Sequence, residues 1–228
     1  MADKSVNGHL YRLWGCLMPR LGIRSSHEAM RDWLLMSWSE PCRHYHDSTH
    51  LLDCIKMVTE SGATGRVHAT ASLALWFHDC VYAPGKERAD ESLCLIHAMD
   101  FAKMAGLPAQ MQANVADAVK ATFHMGSPPR RPAAKLAHDA DLAVLGMSKA
   151  RYAKYAEGIW QEWKGVVARE CFCRVRADIF RTFLGRKAIY LTPWFHERFE
   201  AKARRNLAAE IRNLERQPRK KENYYGDD

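Results

Sequence analysis

The sequence predicts an all-α protein folded as a single helical bundle. Three observations carry that reading. Apolar residues recur at three- and four-residue intervals through most of the chain, no run alternates apolar and polar residues as a half-buried strand would, and turn or capping residues separate the periodic segments. The 228 residues are 47% apolar and 26% charged, which excludes wholesale disorder, collagen and a disulfide miniprotein. At about 100 to 200 residues per domain, the length suits one domain.

Taken in order, a first helix follows Ser26, with Met30, Trp33, Leu34 and Trp38 at helical spacing. The next begins at Asp47 or Ser48, either of which suits an N-cap, and carries Leu51, Leu52, Ile55 and Val58. A third runs from about Arg66, its stripe of Val67, Ala71, Ala74 and Leu75 leading to His78. After a Pro84-Gly85 turn, Leu93, Ile96 and Phe101 mark a fourth, ending near Gly106-Leu107-Pro108, and Met111, Val115, Ala118, Val119 and Thr122 mark a fifth. Ser127 to Pro132 reads as a loop, and a short segment with His138, Asp139 and Asp141 ends near Gly146. Tyr152, Tyr155, Ile159 and Trp163 define one further helix, and Phe172, Val175, Ile179 and Phe183 another, with Gly185 as terminator. Thr192-Pro193 opens the last, with Phe195, Phe199, Leu207, Ile211 and Leu214 inward. The first few residues and those after Pro218 are expected to be disordered.

The net charge of +8 is unevenly spread. Between Arg198 and Lys221 there are nine basic and three acidic residues, a local excess of six that leaves +2 for the remainder. The excess belongs to the C-terminal segment, not to a surface built for nucleic acid. The seven cysteines are scattered without a CxxC pair and read as reduced thiols. The most apolar stretch, Ala69 to Phe77, is interrupted by Thr70 and Ser72 and falls far short of the ~20 residues that span a bilayer. No membrane association and a cytoplasmic location are therefore expected; oligomeric state is not readable.

Neither GxSxG, a Walker loop, GxGxxG nor a zinc-type cysteine pair occurs. The histidines are instead concentrated: His44, His46 and His50, then His78-Asp79, His124, and His138-Asp139-Ala140-Asp141. Imidazoles and carboxylates on successive helices suggest a metal held inside a bundle. Adjacent helical residues point about 100° apart, so His78 and Asp79 can share an ion only at a helix end. His50 borders its own apolar stripe, with Cys54 and Met57 below it, and a carboxylate from 139 to 141 would close the site.

These residues carry a resemblance. The order His50, His78-Asp79, Asp141 on a helical chain resembles the HD superfamily of metal-dependent phosphohydrolases. The similarity extends to Arg43-His44-Tyr45-His46 before His50-Leu51, and to Leu75-Trp76-Phe77-His78-Asp79 before Val81-Tyr82. It continues through Ala121-Thr122 with His124, Asp139 to Gly146, Ile189-Tyr190 with Thr192, and Ala203 to Leu207. Together these are similar to a bacterial subfamily of HD phosphohydrolases, over a motif core of about 40–211. Phe123 stands where that pattern has lysine, and Glu87 to Leu93 replaces its Asn-Glu-rich stretch.

The resemblance implies one HD-type domain over residues 1–228, with 218–228 as a tail. It implies His50, His78, Asp79 and Asp141 as ligands of a divalent ion (Mn, Fe, Co, Ni, Zn or Mg), Asp139 competing with Asp141. Asp79 would also accept a proton from the attacking water. His124, Arg43 and Lys120 would stabilise phosphoryl charge, and His44 and His46, with Arg43 and Asp47 beside them, would support the ligands from behind or face the substrate. The implied reaction is hydrolysis of a nucleotide or other small phosphate ester. Two alternatives remain open at this level: a non-catalytic metal-binding regulatory protein, and a nucleic-acid-associated factor using the basic C-terminal segment.

Overall fold

The computed structural model describes residues 4–85, 87–124 and 126–216, and among them holds ten α-helices and no strand. These are α1 (Lys4–Arg20), α2 (Glu28–Ser37), α3 (Ser48–Glu60), α4 (Gly65–Phe77), α5 (Glu87–Met104), α6 (Ala109–Ala121), α7 (Pro132–Asp141), α8 (Lys149–Trp163), α9 (Arg169–Gly185) and α10 (Pro193–Glu215). A 3-10 turn, Leu142–Gly146, links α7 to α8. The all-α expectation holds.

α4 is the hub. Every residue from His68 to Phe77 is buried, and α1, α3, α5, α6 and α7 pack around it. The sequence permits this because alanines, Thr70 and Ser72 keep parts of the helix thin, letting neighbours approach on several sides where a single stripe would admit fewer. α3 starts sharply because the Asp47 carboxylate accepts from the N–H groups of Thr49 and His50, leaving Ser48 as the first helical residue. α10 lies along α9 and the 3-10 turn. A Cβ on Gly146 would sit 2.5 Å from that of Phe199, so only glycine allows this approach.

Three expectations need correction. α1 was not foreseen, yet it buries Leu10, Trp14, Leu17 and Met18, each large apolar side chain contributing about 1.5–3 kcal/mol. On α5, Leu93 and Ile96 are exposed, and the inward face is Cys94, Ala98, Phe101 and Ala102. On α9, Val175 and Ile179 are exposed while Phe172, Cys173, Arg176 and Phe180 turn inward. The disorder expected at the extreme termini falls on residues outside those described.

No helix among the described residues is long and apolar enough to cross a membrane. Phe195, Phe199, Ala203, Leu207, Ile211 and Leu214 of α10 are buried, so its basic residues occupy the remaining faces of a packed helix. Arg204 turns its guanidinium to Glu200 and to the carbonyls of Leu184 and Arg186. Duplex and single-stranded nucleic acid are accordingly expected to bind no better than micromolar at physiological salt. A binding assay at two salt concentrations checks this; submicromolar, steeply salt-dependent affinity would contradict it.

Candidate metal centre

Three elements bring the chemistry together. His50 sits in the first turn of α3, oriented by the Asp47 cap beneath it and by the Tyr45 ring at 4.7 Å. His78 is the residue at which α4 stops, and the chain turns at once, the Cys80 N–H returning to the Phe77 carbonyl. At this tightened last turn the neighbouring residues 78 and 79 face one point, although successive residues on a helix diverge by about 100°. Asp141 ends α7, which packs against both α3 and α4.

The distances are short. His50 Nε2 lies 3.2 Å from His78 Nε2 and 3.1 Å from Asp141 Oδ1, while His78 Nε2 lies 3.1 Å from Asp79 Oδ2 and 3.4 Å from Asp141 Oδ1. With metal bonds of ~2.1 Å, ligand atoms are separated by about 3.4 Å in a tetrahedron and about 3.0 Å in an octahedron, so these spacings fit a common ion. His78 Nδ1 donates to the Leu75 carbonyl at 2.8 Å, which directs Nε2 into the cluster and sets the ring's orientation. His50, His78 and Asp79 form one group whose ligand atoms lie within 4.8 Å of one another, and His50, Cys54 and Asp141 form another. These residues could hold a metal ion.

Electrostatics favours the histidine and carboxylate set. Burial opposes charge on His78, yet Asp79 and Asp141 outweigh it and raise the imidazole's pKa well above its ordinary value. Burial likewise opposes ionisation of Asp79 and Asp141, and His78 is the leading partner that holds both below the usual carboxylate range. A cation at this point would serve both carboxylates and displace the His78 proton. Burial first, then Asp141, push the Cys54 thiol up, and its Sγ lies 3.6 Å from His50 Nδ1.

A carboxylate that sequence reasoning did not single out organises the rim. Glu162 of α8 is buried, and its Oε1 accepts the N–H groups of His44, Tyr45 and His46 at 2.7–2.9 Å. Its Oε2 accepts from Tyr82 and pairs with His46 Nδ1. The helix reaches this loop because Gly158 lies against it: a Cβ there would be 2.9 Å from the His44 carbonyl oxygen. A signal existed, since Glu162 lies three residues after Ile159 on the inward stripe, where a charge requires partners. His46 in turn presents Nε2 to Asp79 Oδ2 at 3.9 Å. Burial would depress its pKa, but Glu162 and Asp79 prevail and raise it.

Burial would raise the Glu162 pKa, but His46 and the backbone donors bring it down from 4.5 to about 2. A carboxyl depressed in the folded state stabilises the fold above its unfolded pKa and loses that contribution as pH falls toward the folded value. At neutral pH this is on the order of 3 kcal/mol, and about half should be lost by pH 3. Glu162→Gln is therefore expected to cost far more stability at pH 7 than at pH 3. Denaturant titration of both proteins at the two pH values checks this; an equal cost would refute it.

Other predicted residues take definite places. Asp139 is fully buried and away from the His50–His78 contact, accepting from the N–H of Leu191, the N–H and hydroxyl of Thr192, and His138 Nδ1. It clamps the segment before α10, whereas Asp141 joins the cluster. Arg43 is buried and donates to the carbonyls of His46, Asp79 and Cys80 and to Glu40, so its guanidinium holds the loop in place of reaching for a phosphate. His44 is exposed and contributes its backbone N–H. His124, in a left-handed conformation at φ 55°, hydrogen-bonds Asp141 Oδ2 through Nε2 at 2.7 Å. Burial lowers its pKa, so the neutral ring donates to Asp141 and orients it. Lys120 is exposed in the last turn of α6 and lines a cavity beside His124.

No protein-family model matches the chain, and no curated protein or solved structure matches it either.

Proposed function

We propose that this protein is a metal-dependent phosphohydrolase of the HD type, acting on a nucleotide or other small phosphate ester. The observation that carries the reading is the meeting of His50, His78 and Asp141 at 3.1–3.4 Å, with Asp79 Oδ2 3.1 Å from His78. The two histidines are buried, whereas Asp79 and Asp141 remain partly open to solvent alongside His46 and His124. Such a centre has a closed back and an accessible front, as a catalytic site needs.

The nitrogen and oxygen donors suit Mn, Fe, Co, Ni or Zn, with Mg the hardest candidate. When bound, such an ion supplies Lewis acidity and makes hydroxide available near neutral pH. Asp79, at the open side, accepts the proton of the attacking water, with His46 Nε2 3.9 Å from its Oδ2. His124 holds Asp141 in position, and Glu162 and Arg43 fix the loop that carries His46. Lys120, exposed at the cavity beside His124, adds positive charge on that side of the centre.

The experiment is a screen of nucleotides and generic phosphate esters with Mn²⁺, Co²⁺, Ni²⁺, Zn²⁺ and Mg²⁺ added separately. Turnover that depends on the added ion is expected. Metal binding without turnover of any ester would favour the non-catalytic regulator.

A further inference from the structure

Behind His124 lies a cavity of about 890 Å³ whose charged lining is Lys120, Arg130, Arg131, Arg186 and Lys187 against one carboxylate, Asp117. Arg131 is paired with Asp117 at 2.6 Å. The other four cations have no carboxylate partner among the described residues. Outside the Arg198 to Lys221 segment the chain has a net charge of only +2, so this concentration is a local feature and not a general basic surface. Like charges around one cavity focus a positive field that favours an entering anion.

The cavity is also partly preorganised. Arg186 donates to the His124 carbonyl and lies 4.2 Å from the centre of the Phe183 ring, which fixes its guanidinium. Pro128 and Pro129 stiffen one wall. α7 starts at the edge with no side-chain cap, so its N-terminal dipole adds to the same positive field. The volume lies within the range of small-molecule sites, larger than one phosphate requires. His124 belongs to both places: its ring lines the cavity and its Nε2 bonds Asp141.

We propose that this cavity binds a second anionic group of the substrate, a phosphate or comparable oxyanion on the molecule whose scissile phosphoryl lies at the metal centre. This rests on the phosphohydrolase reading. The preferred substrates then carry two separated anionic groups, and simple monoesters with one phosphate are poorer, chiefly through KM.

The test uses the full chain and the Arg130→Glu/Lys187→Glu double variant, both positions being exposed, with circular dichroism as the fold control. Calorimetric titration with inorganic pyrophosphate reads the cavity without turnover. Steady-state kinetics on paired esters bearing one or two phosphates reads its use. The expected result is at least a tenfold loss of pyrophosphate affinity, with KM for the doubly phosphorylated ester rising by a similar factor while kcat and the monoester kinetics stay put. Unchanged pyrophosphate affinity would overturn the site. Lost affinity with an unchanged KM would overturn the substrate claim and point to a free anion as occupant. If the wild type hydrolyses no ester, the phosphohydrolase reading and the substrate claim fail together, and the titration alone then shows whether an anion site exists.

Discussion

Asp79→Asn is expected to lower the proposed phosphoester turnover by about a thousandfold or more while the helical fold survives. The substitution is nearly isosteric, and the Asp79 carbonyl that Arg43 holds belongs to the backbone, so the turn after α4 keeps its brace. What is lost is the negative charge beside His78 Nε2 at 3.1 Å and the group able to accept a proton from water. A thousandfold corresponds to about 4 kcal/mol of transition-state stabilisation, in keeping with the several kcal/mol ascribed to metal-assisted charge stabilisation. Turnover on the ester found by the screen, measured beside the circular dichroism of both proteins, checks the claim. A folded variant working at the wild-type rate would defeat the mechanism.

Asp139→Ala has the opposite signature. Removing this carboxylate strands the Leu191 and Thr192 N–H groups, the Thr192 hydroxyl and His138 Nδ1 inside the protein. Buried donors left without acceptors each cost about 1–3 kcal/mol, so a loss on the order of 3 kcal/mol or more is expected. Denaturant unfolding measures it, and metal binding by the folded fraction should persist because Asp141 supplies the carboxylate at the cluster. A variant of wild-type stability that binds no metal would exchange the parts given to the two aspartates.

Local chemistry explains which features could be read in advance. Asp47 as a cap, Pro193 as a first-turn proline, and the loop from Ser127 act through their own backbone neighbours; α3 and α10 begin where the first two lie, and α7 begins on Pro132, the residue read as the last of that loop. α1 was hidden because Gly8, Gly15 and Pro19 interrupt its stripe, although Leu10, Trp14 and Leu17 keep the spacing. The inward faces of α5 and α9 depend on what packs there: small Cys94 and Ala98 fit where Leu93 and Ile96 do not, and Arg176 turns inward because Glu210 of α10 receives it.

The site divides in the same way. His50, His78 and Asp79 stand out as polar groups among apolar neighbours. The parts of Asp139 and Asp141 do not, because the donors that claim Asp139 arrive from Leu191 and Thr192, about fifty residues away. Arg43 beside the histidines suggested a phosphate ligand, and only the folded chain brings the carbonyls of Asp79 and Cys80 to it. Glu162 carried a readable mark, a carboxylate on an inward stripe, but its partners lie 80 to 118 residues earlier.

The most direct measurement is metal content, by elemental analysis and by titration, of the wild type and His78→Ala. His78 Nε2 contacts His50, Asp79 and Asp141 alike, so its removal takes out the one nitrogen shared by every short distance except that between His50 and Asp141. About one transition-metal ion per chain is expected in the wild type, with a large loss of occupancy and affinity in the variant. Equal metal content in both folded proteins would contradict it.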